Sequence, residues 1–172
     1  PNIYRNEGEM SNWGLEFAAS SVNYDKGDWK WTTDFNISTN HNKLEKLSLQ
    51  QVYYFTRTSE QTADYIVRMT PGESLSKFWG FTALGVDPET GMEMYEDLNH
   101  DGKINASDKH YIGNANPDFI CGMTNNVSWK GFSLNVLITG SYGNDLYNAS
   151  KIDMISMTEG GNQLKDATRR WR

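Results

Sequence analysis

Counted in steps of two, apolar side chains recur along several stretches of the chain, the spacing of a strand with one dry face and one wet face. From Asp28 to Asn40 the odd positions are Trp29, Trp31, Thr33, Phe35, Ile37 and Thr39, and every even position is polar. Trp13, Leu15, Phe17 and Ala19 alternate in the same way with Asn12, Gly14, Glu16, Ala18 and Ser20. Phe119, Cys121, Met123, Val127 and Trp129 oppose Asp118, Gly122, Thr124, Asn126, Ser128 and Lys130, with Ile120 and Asn125 out of phase. Phe132, Leu134, Val136, Ile138 and Tyr142 oppose Ser133, Asn135, Thr139 and Ser141, with Leu137 out of phase. The pattern therefore predicts at least four amphipathic strands of about 11 to 13 residues. Soluble strands usually run to ~5 to 6 residues, whereas a tilted strand that spans a bilayer needs ~9 to 11.

The punctuation between strands sharpens this prediction. Asp25-Lys26-Gly27-Asp28 and Lys130-Gly131 read as tight hairpin turns in which glycine supplies positive φ. The remaining connections are long. Short turns on one side and long loops on the other are the layout of an outer-membrane barrel, with its turns in the periplasm and its loops outside. The expected organisation is a first hairpin over 12–42, a long loop over 43–77, a shorter strand over 78–86, a second long loop over 87–117, a second hairpin over 118–143 and the start of a further loop over 144–172. The expected fold class is all-β: a segment of a large antiparallel transmembrane β-barrel, with about five long strands.

Composition removes other classes. The 172 residues include 37% hydrophobic and 13% aromatic residues, and the mean hydropathy is -0.69, too aromatic for a disordered tail and too polar for a bundle of membrane helices. Apolar runs such as Val136-Leu137-Ile138 are far short of the ~20 residues a spanning helix needs. A net charge of -6 argues against a nucleic-acid partner, whose sites are built from clustered Lys and Arg. Cys121 is the only cysteine, so the chain forms no internal disulfide and no thiolate zinc site. The chain opens at Pro1 without a leader and stops at Arg172 inside a basic, aromatic stretch, and is expected to be a piece of a longer protein.

One run carries chemistry. Residues 97–108 read Asp-Leu-Asn-His-Asp-Gly-Lys-Ile-Asn-Ala-Ser-Asp, which fills the spacing of an EF-hand calcium loop. Calcium is a hard cation that takes six to eight oxygens. Asp97, Asn99 and Asp101 stand at positions 1, 3 and 5, Gly102 at the sharp turn, Lys103 with its carbonyl at 7, Asn105 at 9 and Asp108 at 12. Asp108 replaces the usual Glu and has a shorter arm. Gly113, Asn114 and Pro117 follow too soon for a full exiting helix, so the expectation is an isolated structural Ca2+ staple in a long connection rather than a paired sensor. His41, His100 and His110 are scattered, and the chain has no nucleophile elbow and no phosphate-binding loop, so no enzyme is expected.

Four stretches resemble one family in its order. Asn6, Gly8, Met10, Asn12, Gly14 and Glu16 form an N-x-G-x-M-x-N-x-G-x-E strand. Gly80-Phe81 leads to Gly85-Val86-Asp87-Pro88-Glu89-Thr90-Gly91, then comes Ile112-Gly113-Asn114-Ala115-Asn116-Pro117, and then Lys130-Gly131-Phe132 through Gly140-Ser141-Tyr142-Gly143-Asn144-Asp145-Leu146-Tyr147-Asn148. These resemble the later part of the barrel of a SusC/RagA-type TonB-dependent outer-membrane transporter of Bacteroidetes bacteria. The resemblance implies a plugged barrel of about 22 strands, a SusD-like surface lipoprotein that captures glycan or peptide substrate, and outer-membrane lipid around the wall. It also implies TonB as a partner through a plug region absent from this chain. The family maps no substrate-binding motif onto defined positions here, so no residue is assigned to substrate.

The competing reading is a self-contained calcium-stapled β-sandwich, a surface module that binds glycans through aromatics such as Trp29, Trp31 and Trp129. Strand faces separate the two, since those rings face lipid or a core in the first case and sugar in the second. A dockerin-like module would need a second calcium loop and helices, and the sequence presents one copy.

Overall fold

The computed structural model describes residues 8–47, 53–57, 65–157 and 161–171, the stretch 53–57 by its backbone alone. The strands in chain order are β1 (Gly8–Lys26), β2 (Trp29–Leu47), β3 (Tyr53–Arg57), β4 (Tyr65–Met69), β5 (Lys77–Gly80), β6 (Ala83–Val86), β7 (Glu93–Tyr95), β8 (His110–Asn114), β9 (Phe119–Trp129) and β10 (Phe132–Tyr142). A helix, α1 (Ala149–Ser156), follows, and short 3-10 turns lie at Ala106–Asp108 and Lys165–Arg169.

The long strands form one antiparallel sheet in the order β1-β2-β9-β10. Two hairpins make it. Gly27 takes φ +61 in the two-residue turn between Lys26 and Trp29, and both residues of the second turn have positive φ, Lys130 at 47 and Gly131 at 89. A turn with both φ values positive matches the right-handed twist of the flanking strands. Trp29 lies opposite Trp129, so β2 and β9 pair directly although a long stretch of chain separates them, and both tight turns sit at one end of the sheet. The long connection leaves from the other end.

The outline differs from expectation in four places. β1 and β2 have 19 residues each, longer than the sequence predicts, because the ladder continues past the apolar stretch through Asn40, His41 and Asn42 to Leu47. The expected strand over 78–86 is two short strands: β5 joins a second four-stranded sheet of order β3-β4-β5-β8, and β6 pairs only with β7. The long sheet therefore has four strands among the described residues, rather than about five. Neither long loop is all loop, since 43–77 contains the end of β2 together with β3 and β4, and 87–117 contains β7 and β8. The stretch 144–172 carries α1, whose N-cap Asn148 accepts from the Lys151 amide at 3.1 Å. Parts of these stretches, and Asn6 of the first motif, lie outside the described residues.

Among the described residues Leu44 is the one buried apolar side chain and Asp108 the one buried charged one. The apolar face of the large sheet is open, with Leu15 and Phe132 each 75% exposed. No described helix is long and apolar enough to cross a membrane.

Candidate functional site

Side chains that lie opposite one another in an antiparallel pair share a face, so the register sorts the sheet. Phe17 pairs with Ile37, Ile37 with Cys121 and Cys121 with Gly140; Trp31 pairs with Val127, and Val127 with Leu134. The four alternating patterns in the sequence thus merge into one continuous apolar face. The other face is polar: Ala18 pairs with Asn36 and Asn36 with Gly122, while Ser20 donates to Asp34 Oδ1 at 2.6 Å and Asn135 Nδ2 donates to Asn126 Oδ1.

Rings gather at the two ends of the apolar face. At the tight-turn end Trp29 stacks on Trp129 at 5.3 Å between centroids, and Trp129 on Phe132 at 6.4 Å. At the other end Trp13 stacks on His41 at 4.2 Å and Phe119 on Tyr142 at 5.4 Å. The 11 residues of β10 run from Phe132 to Tyr142; ten steps of about 3.3 Å separate the two rows by about 33 Å along the strand, which at the ~40° tilt usual in barrels would match the ~25 Å apolar band of a bilayer barrel.

A bulge changes the phase near the tight-turn end. Ser21 lies opposite Thr33 and Tyr24 opposite Trp31, so Asn23 is the extra residue, and beyond it the even positions Tyr24 and Lys26 stand on the apolar face. Asn23 Nδ2 donates to Thr33 Oγ1 at 2.6 Å, and Thr33 Oγ1 and Trp31 Nε1 donate to Asn125 Oδ1 at 2.7 and 3.1 Å. Asn125, out of phase in the sequence, is thereby satisfied by groups on a neighbouring strand.

The long connection is tied to the sheet by asparagines. Asn42, near the end of β2, accepts from the Leu75 amide at 2.7 Å and from Ser74 Oγ at 2.9 Å. Asn116 Nδ2 donates to the Leu75 carbonyl at 2.8 Å, and the Asn114 amide donates to Asp145 Oδ2 at 2.8 Å. The Asp145 amide returns a bond to the Asn114 carbonyl at 2.7 Å. Gly113 has no room for a side chain here, since a Cβ would meet Asp145 Oδ2 at 2.8 Å. Sequence reasoning attached no role to Asn42, Ser74, Asn116 or Asp145. The signal was present in the Ile112–Pro117 and Gly140–Asn148 runs, but polar side chains that bond to distant backbone leave no periodicity.

The run Gly85–Gly91 is a second tight polar turn. Asp87 Oδ1 accepts from the Glu89 amide at 2.8 Å and Oδ2 from Thr90 Oγ1 at 2.8 Å; these bonds, the first foremost, hold its carboxyl below the ordinary carboxylate range. Gly91 has φ +71, and a Cβ there would collide with the Trp171 ring, whose Nε1 donates to the Pro88 carbonyl at 3.0 Å.

In the 97–108 loop the side chains act on the backbone. Asp97 accepts from the amides of Asp101 at 3.3 Å and Gly102 at 2.8 Å; Asn99 accepts from Asp101 at 3.0 Å, and Asp101 from Lys103 at 2.8 Å. Gly102 takes φ +77 at the sharp turn. Asp108 is buried and accepts from the amides of Leu98 at 3.1 Å and Asn105 at 2.8 Å, while Asn105 caps Ser107 at 2.9 Å. The Lys103 carbonyl accepts from Asn105 Nδ2 at 3.3 Å. The donor types suit a hard cation. Among the described residues, however, no three Asp, Glu, His or Cys side chains converge as a metal-ligand group.

No family model matches the sequence. The TonB-dependent receptor P3 of Formosa agariphila is 28% identical over 186 residues, covering 97% of this chain and 18% of the relative. The TonB-dependent receptor SusC of Bacteroides thetaiotaomicron is 24% identical over 149 residues, covering 83% and 15%. The chain thus spans less than a fifth of the length of these curated relatives. A chain of the RagAB peptide importer in its closed-closed state matches the fold with a TM-score of 0.67 at 22% identity, over 82% of this chain and 16% of that one. By sequence along most of its length and by an antiparallel sheet that is an unclosed portion of a larger barrel, this chain is a segment similar to SusC/RagA-type TonB-dependent receptors.

Proposed function

We propose that the chain supplies four wall strands and one long outer connection to a TonB-dependent outer-membrane importer of nutrients. The single observation that carries this reading is the continuous apolar face bounded at both ends by rows of rings, with a polar face behind it. In such a protein the polar face, with Glu16, Asp34 and Asn36, lines the lumen. The tight turns stand in the periplasm, and the connection between Leu47 and Phe119 stands outside. A SusD-like lipoprotein is the partner at the outer mouth, and TonB acts on a plug elsewhere in the protein. The cargo is glycan or peptide. The similarity to receptors rather than enzymes supports a transport role without chemistry on the cargo.

The sandwich alternative is not favoured, because Trp29, Trp31 and Trp129 lie on an open face with no second sheet across it among the described residues. Deleting the gene for the full-length protein tests the reading. The expected result is loss of growth on one class of glycan or peptide, with the protein in the outer membrane beside a co-purifying lipoprotein. Unchanged growth on every such nutrient, or a soluble protein, would overturn it.

We also propose that the 97–108 loop takes calcium through Asp97, Asn99, Asp101, the Lys103 carbonyl, Asn105 and Asp108, as a structural staple of the outer connection. The oxygen-only donor set at this spacing supports it. Calorimetric titration of the full-length protein should show calcium-dependent heat that Asp97→Ala abolishes, and no heat at millimolar calcium would remove the proposal.

A further inference from the structure

The bulge at Asn23 opens a groove of about 620 Å3 on the apolar face, lined by Asn23, Tyr24, Trp29, Trp31 and Val127. That volume lies within the range of small-ligand clefts, about 300–1,000 Å3. The Asn23 amide in its lining is bonded to Thr33, which in turn is bonded to Asn125, so this polar group is paired within the sheet. Two lysines stand near its turn end. Lys26 lies opposite Trp29 and so stands on the same face, and Lys130 Nζ lies 5.5 Å from the centroid of the Trp129 ring. The third lysine of this end, Lys30, pairs with Asp25 at 3.8 Å; the two lie opposite each other on the polar face. Asp28 sits in the turn itself. An apolar groove with cationic side chains at its outer edge complements one kind of occupant, an acyl chain that carries an anionic phosphate.

We propose that this groove is a binding site for one anionic phospholipid of the periplasmic leaflet. Its acyl chain lies against Tyr24, Trp31 and Val127, and its phosphate lies between Lys26 and Lys130. The site rests on the outer-membrane reading and adds to it a defined lipid at one place on the wall. The bulge is what makes it, because the same residues in an unbulged ladder would set Asn23 opposite Trp31 and Asp25 opposite Trp29, with Tyr24 and Lys26 on the polar face.

The test is native mass spectrometry of the full-length protein, purified from outer membranes and titrated with phosphatidylglycerol. Wild type and Lys30→Gln should each retain the lipid, and the double variant Lys26→Gln/Lys130→Gln should retain it about tenfold less well, two lysines near a membrane surface each contributing to phosphate attraction. Equal retention by the double variant and wild type, or equal loss in Lys30→Gln, would overturn the site while leaving the barrel intact. Recovery of the full-length protein outside the outer membrane would instead overturn the barrel reading beneath it.

Discussion

The sheet β1-β2-β9-β10 and the connection between β2 and β9 are held together by opposite means. In the sheet the order comes from backbone ladders, and the large side chains of its apolar face point away from the chain, with Leu15, Phe17 and Phe132 open. In the connection the backbone ladders are short, and much of the order between them comes from side chains that bond to backbone: Asn42 to Leu75, Asp87 to Glu89, Asp108 to Leu98. The sheet therefore depends on what surrounds it, and the connection depends on individual polar groups. Substitutions should divide along this line.

The largest effect is expected on the open apolar face. Phe35 lies near mid-strand on that face and Asp34 beside it on the polar face. In the full-length protein Phe35→Arg should lower the stability of the assembled barrel by about 2–4 kcal/mol, whereas Asp34→Arg should leave the folded fraction near wild type. Comparing heat-resistant folded bands from outer membranes reads both, and equal tolerance of the two would erase the distinction between faces.

A smaller and more local effect is expected in the connection. Asn42→Ala leaves the Leu75 amide without its acceptor and Ser74 Oγ with only its longer bond to the Leu75 carbonyl at 3.2 Å, a loss of about 1–3 kcal/mol where the site is shielded from water. It should appear as faster hydrogen exchange at Leu75 with the exchange of β9 unchanged. Acceleration spread over both regions would mean that the connection and the sheet open as one unit.

The smallest effect is expected at Asp87. Its carboxyl is held below the ordinary value by bonds that only the charged form accepts fully, so the turn is at full strength above about pH 3.9 and loosens as pH falls through the depressed value. Exchange at the Glu89 amide, measured down a pH series and corrected for intrinsic rates, should rise only below the ordinary carboxylate range. A rise already complete at higher pH would show that the bond to Glu89 does not hold the turn.

Legibility in the sequence follows the same division. Alternation over Trp13–Ala19, Trp29–Thr39 and the stretches from Phe119 and Phe132 was visible because each side chain of a two-faced strand answers to its surroundings one by one. The Gly27 and Lys130-Gly131 turns were visible because positive φ selects residue type. The stretch 78–86 was read as one strand because Phe78, Phe81 and Val86 are apolar, but the chain turns between Gly80 and Ala83, and its two halves join different sheets. Strands as short as β6 and β7 contain too few residues to display a period. The 97–108 loop was legible as a turn-forming, oxygen-rich run, and the structure places Gly102 at the sharp turn and Asp108 at a buried cap.

By itself, then, the sequence determined the long amphipathic strands, their faces and the tight turns, since these are written in local alternation and in glycine. It also carried the motifs that resemble those of SusC/RagA-type transporters. Only the tertiary structure decided that β2 pairs with β9, and that β5 and β8 leave the wall for a separate sheet. The bulge that brings Tyr24 and Lys26 onto the apolar face came from the same source. Pairing between segments far apart in the chain depends on register and on an inserted residue, and neither alters the composition or the period of a strand read alone.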